Sequence, residues 1–227
     1  ETVCIGPASP LESYLNAPSI LSAAEVTNTD AIYPGYGFLA EDFSFAEKCE
    51  ESGFKFIGPN SETIKMMGDK ITAKSIAEKA GIQVVPGYKD DLPDDPDKIH
   101  AIAKNVGYPL MIKATAGGGG RGMRLIESED ELLDGLEITM QEAMNAFGNK
   151  VVYFEKFISN PRHIEVQIVA DGKGNVIHLG TRDCSIQRRH QKLIEEAPAS
   201  NINPELLSNT LDACLKLCKD INYEGVG

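Results

Sequence analysis

Hydrophobic positions along this chain change spacing repeatedly, from a helical period to a short apolar run or a strict alternation and back. Pro18 suits the first turn of a helix and is followed by Ile20, Leu21 and Ala24. Ala31-Ile32-Tyr33 then reads as a strand, Pro34-Gly35-Tyr36-Gly37-Phe38 as a loop, and Phe45 to Glu51 as a helix before a strand at Phe54 to Ile57. Asp69 is placed to cap a helix from Lys70 to Lys79, and Gly81 to stop it. The acidic stretch from Lys89 to Asp97 reads as a solvated loop. Pro96 opens a helix whose buried face is Ile99, Ile102, Ala103 and Val106, with Gly107 at its end.

A second cycle begins at Pro109. Residues 109–114 predict a buried strand interrupted by one charge, Lys113, and Met123 to Ile126 a returning strand. Between them lie five glycines in the six positions from Gly117 to Gly122. Ser128-Glu129-Asp130-Glu131 has the spacing of a capping box, opening a helix to about Phe147, and Val151 to Glu155 reads as a strand. His163, Glu165 and Gln167 alternate with Ile164, Val166 and Ile168, which predicts a strand with one polar face. A turn at 171–175 leads to a strand at Val176 to Leu179, and Asn203-Pro204 opens a closing helix. The alternation of helices and strands predicts α/β architecture.

Composition narrows the function classes. The 227 residues carry 34 acidic and 22 basic side chains, a net charge of −12. That balance argues against a nonspecific grip on nucleic acid, which needs clustered lysine and arginine. No apolar run approaches the ~20 residues that span a bilayer. Five scattered cysteines are odd in number and argue against a disulfide framework. Cys214 and Cys218 fall on the apolar stripe of the last helix with Leu207, Leu211, Leu215 and Ile221, and read as buried thiols in a reducing cytosol. The chain opens inside a strand-like run and stops at Glu224-Gly225-Val226-Gly227 without a polar tail, so both ends read as cut.

The glycine loop is the strongest local chemical signal. Strands flank it on both sides, so it is a hairpin tip rather than a loop that opens a helix. That excludes the dinucleotide fingerprint, and the Gly-Lys-Ser/Thr ending of the Walker loop is missing too. Backbone without side chains lets N–H groups approach phosphates and can close as a lid. Lys113 precedes the loop on an apolar strand. It reads either as an edge lysine reaching water or as a buried cation needing an anion such as a phosphate. Lys70, at a helix start, is unfavourable against the helix dipole unless an anion binds there, and otherwise reads as a surface lysine. Arg188, Arg189 and Lys192 form a cationic patch that suits phosphate or bicarbonate, or else a solvated loop paired with Glu195 and Glu196. His163, Glu165 and Gln167 read as ligands or as a wet strand face.

Several motifs together carry a resemblance. They are Tyr33-Pro34-Gly35-Tyr36-Gly37-Phe38-Leu39, Phe56-Ile57-Gly58-Pro59, Met67-Gly68-Asp69-Lys70, Ile112-Lys113-Ala114 with Gly117 to Met123, Phe154-Glu155-Lys156-Phe157, Asn160 to Gln167, and Arg182 to Lys192. The chain resembles biotin carboxylase, the ATP-grasp component of biotin-dependent carboxylases, over essentially its whole length. The Gln187-Arg188-Arg189-His190-Gln191-Lys192 run separates this family from other ATP-grasp ligases.

The resemblance implies a partial ATP-grasp fold preceded by a truncated Rossmann-like unit. Its expected divisions are an N-terminal unit over 1–65, a connecting helix over 66–84, a lid over 85–157 and the start of the C-terminal subdomain over 158–227. It implies ATP-dependent carboxylation of biotin on a carrier protein by bicarbonate, through carboxyphosphate. Lys70 and Lys113 match phosphate-binding lysines, and Gly119 and Gly120 the lid backbone. Glu155, Lys156, Phe157 and Ile158 match the hinge at the adenine edge. His163, Gln187 and His190 match residues near ribose and phosphates, and Lys192 the bicarbonate-binding lysine. His190 and Lys192 are the implied catalytic pair. ATP, Mg2+ or Mn2+, carrier-linked biotin, a biotin carboxyl carrier protein, carboxyltransferase subunits, a homodimer and a cytoplasmic location are implied too. So is membership of an acetyl-CoA carboxylase, with pyruvate and propionyl-CoA carboxylases sharing the motifs. Another ATP-grasp ligase, such as a carbamoyl-phosphate synthase, and a non-catalytic nucleotide-binding domain are the competing readings. The family's acidic magnesium ligands and its arginine for carboxyphosphate are expected beyond Gly227, so these 227 residues alone are expected not to complete the reaction.

Overall fold

Short polar side chains start most of the helices. The computed structural model of the chain describes residues 2–88, 90–115, 122–188 and 191–227. Its helices are α1 (Ala17–Val26), α2 (Phe43–Glu51), α3 (Ser61–Gly68), α4 (Lys70–Ala80), α5 (Pro96–Val106), α6 (Leu132–Phe147) and α7 (Pro204–Asp220). Asn16, Asp42, Asn60, Asp69, Asp95 and Asn203 each accept backbone N–H bonds at a helix start. Gly81 ends α4 in the left-handed region at φ 93°.

The strands are β1 (Ala31–Ile32), β2 (Lys55–Phe56), β3 (Gly87–Tyr88), β4 (Leu110–Ala114), β5 (Met123–Ile126), β6 (Val152–Lys156), β7 (Ile164–Asp171), β8 (Val176–Arg188), β9 (Gln191–Glu196) and β10 (Glu224–Val226). The described residues form two compact units: 1–68 with 167–179 and 214–227, and 69–166 with 180–213.

In the first unit β1 and β2 pair in parallel, Ala31 opposite Lys55, with α2 as the crossover. Phe45, Ala46 and Cys49 of α2 pack on Ile32, Leu39 and Phe56. β10 pairs antiparallel with β7, Glu224 opposite Asp171.

In the second unit four antiparallel strands run in the order β3-β6-β4-β5. Leu110, Ile112 and Ala114 alternate with Met111 and Lys113, so β4 has one buried face. The buried face meets Phe154 and Val152 of β6, Ile99 and Ala103 of α5, and Leu132, Leu136 and Ala143 of α6. The opposite face carries Met111, Lys113, Tyr153 and Glu155, because Met111 lies opposite Glu155 and Lys113 opposite Tyr153.

Four expectations are corrected. The capping box does not form: a 3-10 turn over Glu129–Glu131 precedes α6, and the Glu131 carboxylate accepts from the Glu127 N–H, 3.2 Å, not from Ser128. Residues 185–192 were expected as a loop, but β8 continues to Arg188 and returns as β9, with Gln187 opposite Lys192. Long-range pairing imposes the strand where the residues offer no apolar alternation. His163 precedes β7 rather than lying in it. Helix α3, capped by Asn60, occupies 61–68 where no helix was expected.

Candidate functional site

Lys70 and Lys113 stand at the entrance to the glycine loop. Ala114 and Gly122 close the β4–β5 hairpin through an Ala114 N–H to Gly122 carbonyl bond of 2.8 Å. Lys113 is the penultimate residue of β4. Asp69 caps α4, which places Lys70 in its first turn, and the Lys70 ammonium donates to the Ala114 carbonyl at 3.2 Å. Burial and the neighbouring Lys113 charge hold the Lys70 amine below the usual lysine range, opposed by Glu155. An anion at this point would relieve that repulsion.

Glu155 is the carboxylate that organises this face. It is 5% exposed, accepts from Lys113 on one oxygen and from Lys74 of α4 on the other. Burial pushes its carboxyl up, but the hydrogen bonds and charges of Lys113 and Lys74 outweigh this and hold it below the ordinary glutamate value. The Lys74 ammonium also lies 5.3 Å from the Tyr153 ring centroid. Three lysines thus face one carboxylate in a partly buried setting, an arrangement suited to a polyanion. Lys74 was missed by sequence reasoning. Its spacing of four from Lys70, one helical turn away, was the signal that could have found it.

The hinge residues follow Glu155 on β6. The Lys156 N–H donates to the Pro86 carbonyl at 2.8 Å and the Phe157 N–H to Pro109 at 3.2 Å. The Lys156 ammonium donates to the carbonyls of Gly107, 3.0 Å, and Tyr108, 2.8 Å. Ile158 is exposed. The Glu155 side chain is committed to the two lysines, so any reading of a ligand by Glu155 falls to its backbone.

A second cluster in the same unit gathers around Glu165. The Gln187 amide donates to Nδ1 of His163 at 2.7 Å and to the Cys184 carbonyl at 2.9 Å. Nδ1 as acceptor places the imidazole proton on Nε2, which lies 3.4 Å from Glu165 Oε1. Lys192 donates to the same Glu165 oxygen, and Arg182 to the other at 2.9 Å. Burial raises the Glu165 carboxyl, but hydrogen bonds from Lys192 and Cys184 and the charges of Lys192 and Arg182 hold it below the ordinary range. Arg182 also pairs with Glu195 at 2.8 Å. Arg162, beside His163, fixes the neighbouring chain by bonds to Asp183, 2.7 Å, and to the Ser200 carbonyl, 2.6 Å. The structure therefore brings His163, Gln187 and Lys192 together. Their common carboxylate, Glu165, was read from sequence only as part of a polar face. Gly119, Gly120, Arg189 and His190 lie outside the described residues. Among the described residues no three His, Cys, Asp or Glu side chains could hold a metal ion together, so they do not fit a magnesium site. No helix among them is long and apolar enough to cross a membrane.

The fold and this lysine-rich hairpin define a nucleotide-binding unit of the ATP-grasp class. Residues 69–227 match the family model for the ATP-binding domain of the carbamoyl-phosphate synthase L chain, and residues 1–64 the model for the biotin carboxylase N-terminal domain. With both models in tandem, the chain belongs to the biotin carboxylase family. It is 55% identical to a biotin carboxylase of Pseudomonas aeruginosa over 227 residues, all of this chain and 51% of that protein. A Campylobacter jejuni biotin carboxylase–beta-gamma-ATP complex superposes with a TM-score of 0.92 at 49% identity, covering 98% of this chain and 50% of that one. The biotin carboxylase domain of a Hydrogenobacter thermophilus 2-oxoglutarate carboxylase, in complex with MgADP, ADP and bicarbonate, gives a TM-score of 0.90 at 47% identity, covering 97% and 48%. The chain spans about half the length of the curated relatives it matches.

Proposed function

We propose that the protein carries out ATP-dependent carboxylation of carrier-linked biotin by bicarbonate, as a ligase of the biotin carboxylase type. The observation that carries this reading is the placement of Lys70 and Lys113 on either side of Ala114, where the chain enters the glycine hairpin. Family membership and the nucleotide and bicarbonate complexes of the related structures support it.

In this reading Lys70 and Lys113 neutralise the nucleotide's terminal phosphates, and the backbone of Gly119 and Gly120 closes over them. Lys156 to Ile158 supply the hinge at the adenine, with Glu155 reading through its backbone. Lys192 binds bicarbonate and offsets negative charge that develops as its oxygen attacks the γ-phosphate, releasing ADP. Glu165 aims that lysine, and Gln187 holds His163 in one tautomer toward ribose and phosphates. His190 completes the constellation. Magnesium or manganese, when bound, would neutralise phosphate charge. The described residues do not form its site, so no step here runs through it.

The carboxyl group then passes from carboxyphosphate, as CO2, to the ureido nitrogen of biotin on a carrier protein, and onward through carboxyltransferase subunits. The 55% identity to a biotin carboxylase supports a place in an acetyl-CoA carboxylase of the cytoplasm, working as a homodimer. The divisions at 65, 84 and 157 are proposed as the borders of N-terminal unit, connecting helix, lid and C-terminal subdomain. Initial rates of ADP release by the intact protein test the proposal. Release should depend on bicarbonate and be stimulated by biotin. ADP release that needs bicarbonate but ignores biotin would point to another ATP-grasp ligase.

A further inference from the structure

Lys113 has two claims on it. In the structure it donates to Glu155; in the reading above it meets a nucleotide phosphate. An ammonium moving to a phosphate withdraws from Glu155, whose carboxylate is 5% exposed. A buried carboxylate that loses its only cation takes up a proton or resists the change. Lys74 removes that conflict. It comes from α4, not from the β4 hairpin, and it holds the other carboxylate oxygen. Its ammonium is also placed against the Tyr153 ring, so it has no reason to follow Lys113.

We infer that Lys74 is a positioning residue for nucleotide binding, keeping Glu155 compensated while Lys113 passes from that carboxylate to a phosphate. The inference rests on the nucleotide reading of the hairpin. Without a ligand, Glu155 acts as the anion that holds Lys113 in place on the sheet. With a ligand, the pair separates and the Lys74–Glu155 pair remains. Lys74 itself never touches the ligand. Among the described residues, the charged and titratable groups facing Glu155 are Lys74 and Lys70 from α4, Lys113 from β4, and Tyr153 from its own strand.

Calorimetric titration of the intact protein with a non-hydrolysable ATP analogue tests this. It is run near pH 6.5 in two buffers of different ionisation enthalpy, so that proton uptake is measured along with affinity. Lys74→Met should bind about tenfold more weakly, a loss of about 1.4 kcal/mol. It should also take up an additional fraction of a proton relative to the unsubstituted protein, because Glu155 now protonates as Lys113 leaves. Lys74→Arg should restore both values. Lys74→Gln provides the same test if the methionine variant does not fold. Unchanged affinity and unchanged proton uptake in a folded Lys74→Met or Lys74→Gln protein overturns the inference. A merely structural lysine would weaken binding without adding a proton, and that result also overturns it. An unsubstituted protein that does not bind the analogue sinks the nucleotide reading itself, which separates the two failures.

Discussion

Lys192 and Glu165 are paired across the second unit's β-structure, the lysine from β9 and the carboxylate from β7, with Arg182 on the other carboxylate oxygen at 2.9 Å. The pair fixes a cation that the proposed reaction uses at bicarbonate. Lys192→Ala should therefore abolish most bicarbonate-dependent ATP cleavage, by about 100-fold or more, since removal of one transition-state donor typically costs that much. Nucleotide affinity should be retained. Turnover unchanged at saturating bicarbonate would remove Lys192 from the mechanism.

Replacing Glu155 with glutamine leaves Lys74 and Lys113 facing each other across a neutral amide. Both lysines are partly exposed, with side chains at 19% and 25%, so water screens some of the repulsion. A loss of about 2 kcal/mol follows, below the range for fully buried pairs. Urea unfolding of the intact protein measures it, and an unchanged midpoint would contradict the role given to Glu155.

Glu155 and Glu165 both titrate below the ordinary glutamate range in the folded protein. Their contribution to stability is fully present above the unfolded value of about 4.3 and is lost as the pH falls below it, toward the lower folded values. The urea midpoint should fall between about pH 5 and pH 3.5, and Glu155→Gln should flatten that slope. A slope identical in the variant would show that Glu155 is not responsible.

Gly122 closes the hairpin at φ 65°, and a Cβ there would lie 2.9 Å from the Ala114 Cβ. Gly122→Val combines a left-handed backbone penalty with overpacking, about 2–4 kcal/mol together. The variant should melt earlier and bind nucleotide more weakly. Valine at both Gly119 and Gly120 instead tests the phosphate cradle, and normal ATP kinetics would contradict it.

Much of this fold is legible from local chemistry. The caps at Asn16, Asp69 and Asn203 and the stop at Gly81 depend on side chains bonding to their own backbone, so neighbouring residues suffice to read them. The β4–β5 hairpin is likewise announced by apolar runs around glycine. The β8–β9 pairing is not, because Gln187 and Lys192 become strand residues only through their cross-strand partners. Lys113 and Lys192 could be singled out, since a cation in an apolar strand or a dense basic run is unusual. Their carboxylates could not. Glu155 ended an ordinary strand and Glu165 sat in an ordinary alternation, and each gains its role from lysines distant in the chain, Lys74 at a separation of 81 residues.

The most direct measurement follows radiolabelled bicarbonate incubated with ATP, magnesium, the intact protein and a biotinylated carrier protein. The account predicts acid-labile label on the carrier, matched by ADP release and lost in Lys192→Ala. Bicarbonate-dependent ADP release with no label on biotin or its carrier would contradict it.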